Sequence, residues 1–155
     1  MTTYTMVQAV KRCLDQLNVR YNYDSAHEVI ELGSKVDCKL KNVRYFIQFN
    51  EDDYLVYAIS PMNADEECRN EVLRYLSMAN YGLFNGCFEM DLRDGEIRYK
   101  SYVDCRDMNS IPDIIVARSI IIPVNMFERF GDGIAALLMG FSDAEAEYKK
   151  AQEKE

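Results

Sequence analysis

Apolar side chains first recur at helical spacing. Met6, Val7, Val10, Leu14 and Leu17 make one stripe, with Lys11, Arg12 and Asp15 on the other side. This predicts a helix from about Thr5 to Leu17, opened by Thr5 and Gln8 in capping-box form, whose stripe covers a sheet. From Val29 the period drops to two. Ile30, Leu32, Val36, Cys38 and Leu40 alternate with polar or small residues, and Val43, Tyr45, Ile47 and Phe49 alternate with Arg44, Phe46 and Gln48. A turn centred on Lys41 and Asn42 puts both apolar sets on one face of an antiparallel pair. Lys41 is a poor residue for positive φ, so a four-residue loop with the same centre is the alternative. The next strand, Tyr54 to Ser60, is apolar on both parities, and pattern alone leaves its inner face open.

Pro61 ends that strand. Asn63 with Glu66 has the form of a helix start, and Cys68, Val72, Leu76 and Ala79 form the inner stripe of a helix over about Asp65 to Tyr81. Gly82 stands where a helix-ending glycine belongs. A hairpin with Asp94-Gly95 at its tip then pairs Arg93 with Glu96, Asp91 with Arg98 and Glu89 with Lys100. Its other parity is mostly apolar: Leu92 with Ile97, Met90 with Tyr99, Phe88 with Ser101. The last third reads as helices: one opened by Pro112, an interruption at Pro123, and a segment carrying Phe127, Phe130, Ile134, Leu137, Leu138 and Phe141. Gly131 and Gly133 weaken this segment unless another element approaches closely there. Ser142 with Glu145 opens a polar final helix whose end, residues 149–155, forms a charged, fraying tail.

Composition narrows the picture. The 155 residues suffice for one domain, taken as residues 1–148, and no repeat or linker divides them. A net charge of -8 without a Lys/Arg cluster disfavours nucleic acid and anionic membranes as partners. The apolar runs fall short of the ~18 to 20 residues of a membrane span. No basic, then apolar leader opens the chain, so a cytoplasmic location is expected. Five cysteines without close spacing and a single histidine, His27, argue for free thiols rather than disulfides or structural zinc.

The element order is α-β-β-β-α-β-β-α, with hairpins inside each group of strands. It predicts an α+β fold: a five-stranded antiparallel sheet with helices packed on one face. In this order, and over Ala79-Asn80-Tyr81-Gly82-Leu83-Phe84-Asn85-Gly86-Cys87-Phe88-Glu89-Met90-Asp91 and Asp94-Gly95-Glu96-Ile97-Arg98-Tyr99, the chain resembles the YbjN-like family of bacterial proteins. Val43 to Asn63 looks like that family's middle hairpin, and Phe127 to Ile134 like its closing helix. Members carry the label of sensory transduction regulators and share the fold of type III secretion chaperones. The resemblance implies a non-enzymatic, partner-binding, dimeric protein, and it brings no catalytic residues.

The residues themselves offer little chemistry. His27 reads as a loop residue, too isolated to serve a cysteine nucleophile. Cys38, Cys68 and Cys105 fall on inward positions, which leaves Cys87 as the most reactive thiol. Asp132, between two glycines, has the look of a divalent-ion loop but lacks a second acid at calcium-loop spacing. No catalytic, cofactor or metal residues are therefore assigned. An enzyme built around Cys87 or Asp132, a small hydrolase or a thiol- or metal-dependent enzyme, is the competing reading. The eleven tyrosines point instead to a surface, since tyrosine combines apolar area with a polar tip. The candidate interface is the sheet face with Phe46, Tyr54, Val56, Ala58 and Tyr102, meeting a second copy or a client protein.

Overall fold

The computed structural model describes residues 2–154. The elements are α1 (Thr3–Gln16), β1 (Asn22–Asp24), β2 (Val29–Lys35), β3 (Asn42–Phe49), β4 (Asp53–Ile59), α2 (Arg69–Asn80), β5 (Cys87–Met90), β6 (Ile97–Asp104), α3 (Asp113–Leu138) and α4 (Ala144–Gln152). The strands form one antiparallel sheet in the order β1-β2-β3-β4-β6-β5. The α+β class and the antiparallel pairing agree with the sequence. The strand number does not: six strands are present, because Asn22–Asp24 adds a short edge strand to β2. Three residues are too few for a periodic signal, so that strand is invisible in the pattern.

Helices line one face. Helix α1 lies against β3 and β4, α3 against β4 and β6, α2 against β5, and α4 against α2 and α3. Met6, Val10 and Leu14 of α1, Phe127, Phe130 and Ile134 of α3, and Tyr45, Ile47, Tyr54, Val56 and Tyr99 of the sheet are almost wholly buried in a single core. Three tyrosines join sheet and helices by hydrogen bonds as well as area. Tyr45 donates to the Ile120 carbonyl (2.5 Å), Tyr75 of α2 donates to the Phe130 carbonyl (2.8 Å), and the Tyr54 hydroxyl lies 3.0 Å from Ser119 Oγ. Burial pushes all three phenols well above the ordinary tyrosine range.

Helix boundaries move for local reasons. Thr2, not Thr5, caps α1, accepting from the Thr5 N–H. Asp143, not Ser142, caps α4 by accepting from Ala146 N–H. Helix α2 begins at Arg69 rather than near Asp65, since Asn63 turns its side chain to the Asp94 carbonyl. Pro123 does not break α3, which runs unbroken for 26 residues. Proline removes one helical hydrogen bond, and the phenols on Ser119 and Ile120 hold the turn on which it sits. Residues 149–152 are helical, with Ala151 buried.

Strand β2 ends at Lys35 rather than near Leu40, and Lys35 pairs with Asn42, so the turn expected at Lys41 and Asn42 does not form. Residues 36–41 form a loop docked on α3, where Glu128 accepts the Asp37 N–H and Asp132 accepts the Lys39 N–H. Lys41 takes the positive φ of 70° that the sequence disfavours. The two α3 glycines have the close neighbours expected of them: a methyl at Gly131 would strike Cys38, and one at Gly133 would strike the Tyr75 ring.

The β5–β6 hairpin keeps its predicted faces but shifts by two residues. Glu89 pairs with Arg98 and Cys87 with Lys100, and the connecting loop widens to six residues, with Asp91 and Glu96 closing it. Asp91 spends its carboxylate on the Arg93 backbone and guanidinium, which holds it down at about 2. Gly95 takes a positive φ of 78°, and its carbonyl accepts from Ala64 N–H (2.8 Å). The hairpin tip is thereby fastened to the β4–α2 connection. A two-residue turn would forfeit that contact. A methyl at Gly95 would collide with the Ala64 backbone. We expect Gly95→Ala to lose at least about 2 kcal/mol, from left-handed strain plus overpacking, read as a lower urea midpoint at unchanged slope.

Candidate protein interface

The central strand decides what the sheet shows to solvent. Tyr54, Val56 and Ala58 are fully buried against the helices. The sequence reading placed these three on the outer face, and the structure overturns that placement. Ala58 lies between Tyr45 of β3 and Tyr99 of β6, both buried, so β4 takes the parity of its two neighbours. Phe46 and Tyr102, the other two members of that set, do lie on the outer face, joined there by Leu55, Tyr57 and Ile59. The signal for those three was present as the second apolar parity of the strand, but nothing inside the strand said which parity faced out.

The five side chains make one band. Phe46 is the cross-strand partner of Tyr57, Leu55 of Tyr102, and Ile59 of Arg98. Phe46, Leu55, Tyr57 and Ile59 are half-buried and Tyr102 is exposed. The band has two different ends. Asp53 and Asp104 pair on the same face beyond Leu55 and Tyr102, while Arg44 and Arg98 flank Ile59 at the far end. The Arg98 guanidinium lies over the Tyr57 ring at 4.2 Å. Glu89 bridges Arg98 (2.6 Å) and Lys100 (2.9 Å). Burial pushes its carboxyl up, but the hydrogen bonds from Lys100 and Arg98 outweigh this and leave it below the ordinary glutamate range.

The residues with candidate chemistry stand apart from one another. Cys87 lies on the outer face across from Lys100, at the β5 edge, while His27 sits in the β1–β2 turn, paired with Asp24 at 2.7 Å. Those strands are opposite edges of a six-stranded sheet, about 24 Å apart at ordinary strand spacing. Asp132 accepts from Lys39 N–H (2.8 Å) and Lys154 Nζ (2.9 Å). Burial pushes it up, but those two groups hold it below the usual carboxylate range. Burial raises the thiols of Cys38 and Cys105, the latter to about 11. Among the described residues no three potential ligand side chains converge, and no helix is long and apolar enough to cross a membrane.

Asn80 is a site residue of a different kind. Its Oδ1 accepts the Phe88 N–H (2.7 Å) and its Nδ2 donates to the Phe88 carbonyl (2.8 Å). One carboxamide thus takes the place of a neighbouring strand on the outer edge of β5. Asn80 lies in the run that carries the family resemblance, where the sequence shows its presence but not its role.

The chain is thus an α+β protein: a six-stranded antiparallel sheet with its helices packed on one face and the other face left open. Among solved structures this fold is that of YbjN from E. coli, described as a candidate transcription regulator: TM-score 0.57 over 86% of this chain and 89% of that one, at 12% identity. No family profile and no curated protein matches the chain.

Two outcomes follow from this geometry. Asn80→Ala should cost about 1–3 kcal/mol for each of the two backbone groups it strands, with faster amide exchange at Phe88. Glu89 has a folded pKa below its unfolded one, so its contribution is full above the ordinary glutamate range and is lost as pH falls through the folded value. In a urea series from neutral to acid pH, Glu89→Gln should flatten that part of the stability curve.

Proposed function

We propose that this chain is a non-enzymatic protein-binding regulator or adaptor that forms a homodimer through the outer face of its sheet. The observation that carries the reading is the order along that face: an acidic end where Asp53 stands beside the Asp104–Arg106 pair, an apolar middle, and a basic end where Arg44 stands near the Arg98–Glu89 pair. A two-fold axis parallel to the sheet, perpendicular to the strands and midway between two facing copies reverses strand direction. It lays the acidic end of one copy on the basic end of the other and stacks the two apolar bands. Such a surface is complementary to itself, which is the requirement of an isologous contact.

Burial supports the same reading. A sheet face exposed to water for its own sake would carry polar residues at these positions. Phe46, Leu55, Tyr57, Ile59 and Tyr102 are a contiguous apolar patch rimmed by charge, the usual composition of an interface core. A stable dimer of this kind buries about 800 Å² on each partner, roughly a tenth of the chain's 8879 Å². Regulation through protein contact also suits a net charge of -8 better than direct contact with DNA. The likeness to YbjN, described as a candidate transcription regulator, supports the fold on which this reading stands.

Light scattering across micromolar concentrations should give twice the chain mass. The double variant Phe46→Glu with Tyr57→Glu should give the monomer while keeping the far-ultraviolet circular dichroism of the parent. A parent that stays monomeric at 100 micromolar, an order-of-magnitude ceiling for a specific dimer, would sink the proposal.

A further inference from the structure

The sheet has a second unfinished boundary, and it belongs to β6. That strand has eight residues, but β5 pairs only with Ile97–Lys100. On that side Ser101–Asp104 have no neighbouring strand. The direction of their backbone groups follows from the loop. Asp91 N–H donates to the Glu96 carbonyl, so these two are a hydrogen-bonded pair. Pairs of this type alternate in an antiparallel ladder. Glu89 with Arg98 and Cys87 with Lys100 are therefore the next ones, and Tyr102 and Asp104 continue the series with nothing opposite. The other edge agrees: Ser60 N–H donates to the Ile97 carbonyl, so odd positions of β6 face β4. The N–H and C=O groups of Tyr102 and Asp104 thus point away from the sheet, and no turn or loop group among the described residues takes them.

The contrast with β5 is what gives this edge meaning. The outer groups of Phe88 are closed by Asn80, and the opposite edge of the sheet is the three-residue β1. Proteins ordinarily blunt exposed edges with proline, inward charge, bulges or covering loops. The free half of β6 instead borders a groove of about 260 Å³, walled by Met108 and by Ile115 and Ile122 of α3, with Asn85, Arg118 and Ser119 completing it. Arg118 is exposed and makes no hydrogen bond or ion pair among the described residues. The groove's acid, Asp104, already has Arg106 at 3.7 Å. The uncompensated charge of the groove is therefore positive, in a chain that is strongly acidic overall.

We infer that the free edge of β6 at Ser101–Asp104 is a docking site for a short extended peptide of a partner protein, added as a strand in line with β5 and carrying a carboxylate for Arg118. Main-chain bonds to Tyr102 and Asp104 hold it, and alternate side chains drop between the edge and α3 against Met108, Ile115 and Ile122. The site has room for about four paired residues before the peptide meets the end of β5 at Gly86 and Cys87. It does not depend on the dimer proposed above, whose surface is the face of the sheet rather than its edge.

The test is an amide-resonance titration of the isotope-labelled full chain. The probes are an acetylated hexapeptide alternating valine and threonine with one central glutamate, its lysine counterpart, and a version N-methylated at alternate residues. The glutamate peptide should shift Tyr102 and Asp104, slow their hydrogen exchange, and bind about threefold to fivefold tighter than the lysine peptide, the strength of a partly exposed ion pair. The N-methylated peptide should not bind. Arg118→Glu, a surface change that leaves the core intact, should reverse the charge preference. Tyr102→Pro, which removes an outward N–H, should abolish binding. No shift at Ser101–Asp104 with any peptide at millimolar concentration overturns the inference. So does equal binding of the N-methylated peptide, or shifts confined to Phe46 and Tyr57. Because the readout is by residue, loss of the dimer and loss of this site are told apart.

Discussion

Three phenols hold this molecule in one arrangement. Tyr45, Tyr54 and Tyr75 are fully buried, and each reaches a polar atom of α3. A buried hydroxyl left without a partner costs about 1–3 kcal/mol, so each fixes where α3 can lie as well as adding area. Tyr45 and Tyr54 meet adjacent residues, Ile120 and Ser119, in the turn that Pro123 deprives of a hydrogen bond. Tyr75 meets the helix at Phe130, between the glycine that admits its ring and the aromatic cluster of Phe88, Phe127 and Phe130. With α3 held at both sites, the helix side of the sheet is settled, and with it the side left bare.

That choice runs against simple area. Inside, β4 presents Tyr54, Val56 and Ala58; outside, it presents Leu55, Tyr57 and Ile59. The tyrosines cancel. Leucine and isoleucine carry about four more side-chain carbons than valine and alanine, about 3 kcal/mol of transfer free energy at 0.8 per carbon. Over residues 54–59 transfer alone would favour turning the strand over, but Asp53 shares the outer parity, and burying its carboxylate would cost more than that. The strand is also held by its neighbours: both edges of β4 are hydrogen-bonded, and β3 and β6 each have one clearly apolar parity. A large side chain at Ala58 would also be driven between Tyr45 and Tyr99, and overpacking of that sort costs about 1–3 kcal/mol or more. The more apolar face of the central strand therefore points to solvent as a consequence of packing elsewhere. An exposed face of this composition is stable in water only at a cost that a partner would relieve.

This also explains what could be read from the chain beforehand. The apolar faces of β2, β3 and the hairpin, the Gly82 helix stop and the close approach at Gly131 and Gly133 are legible, whereas the β2–β3 turn is not, because residues 36–41 are held by Glu128 and Asp132 of α3. The parity of β4 is a property of two other strands and cannot be found within seven residues that are apolar throughout. Three of the five proposed interface residues, Tyr54, Val56 and Ala58, were misplaced for that reason, while Phe46 and Tyr102, set in alternating strands, were not. The two-residue shift of the hairpin has the same origin. Charge pairing favoured Asp91 opposite Arg98, but Asp91 has a nearer partner in Arg93, and the contact from Gly95 to Ala64 is non-local. Asn80 and the short β1 carry no periodic signal.

Edge and face meet at two residues, Tyr102 and Asp104. Tyr102 places its ring on the outer face beside Leu55 and its backbone on the unpaired side of β6. A strand docked along that edge would extend the face sideways, adding its own outward side chains next to Tyr102. A second copy on the face would in turn limit which side chains such a strand could carry outward. The two surfaces are distinct in chemistry, one reading side chains and the other backbone, yet they share a border. Occupying one would then change the other through Tyr102 and Asp104, with no shift in the core. Coupling of that kind needs differential contacts at shared residues rather than a conformational change, and the fold supplies the two residues where those contacts would fall.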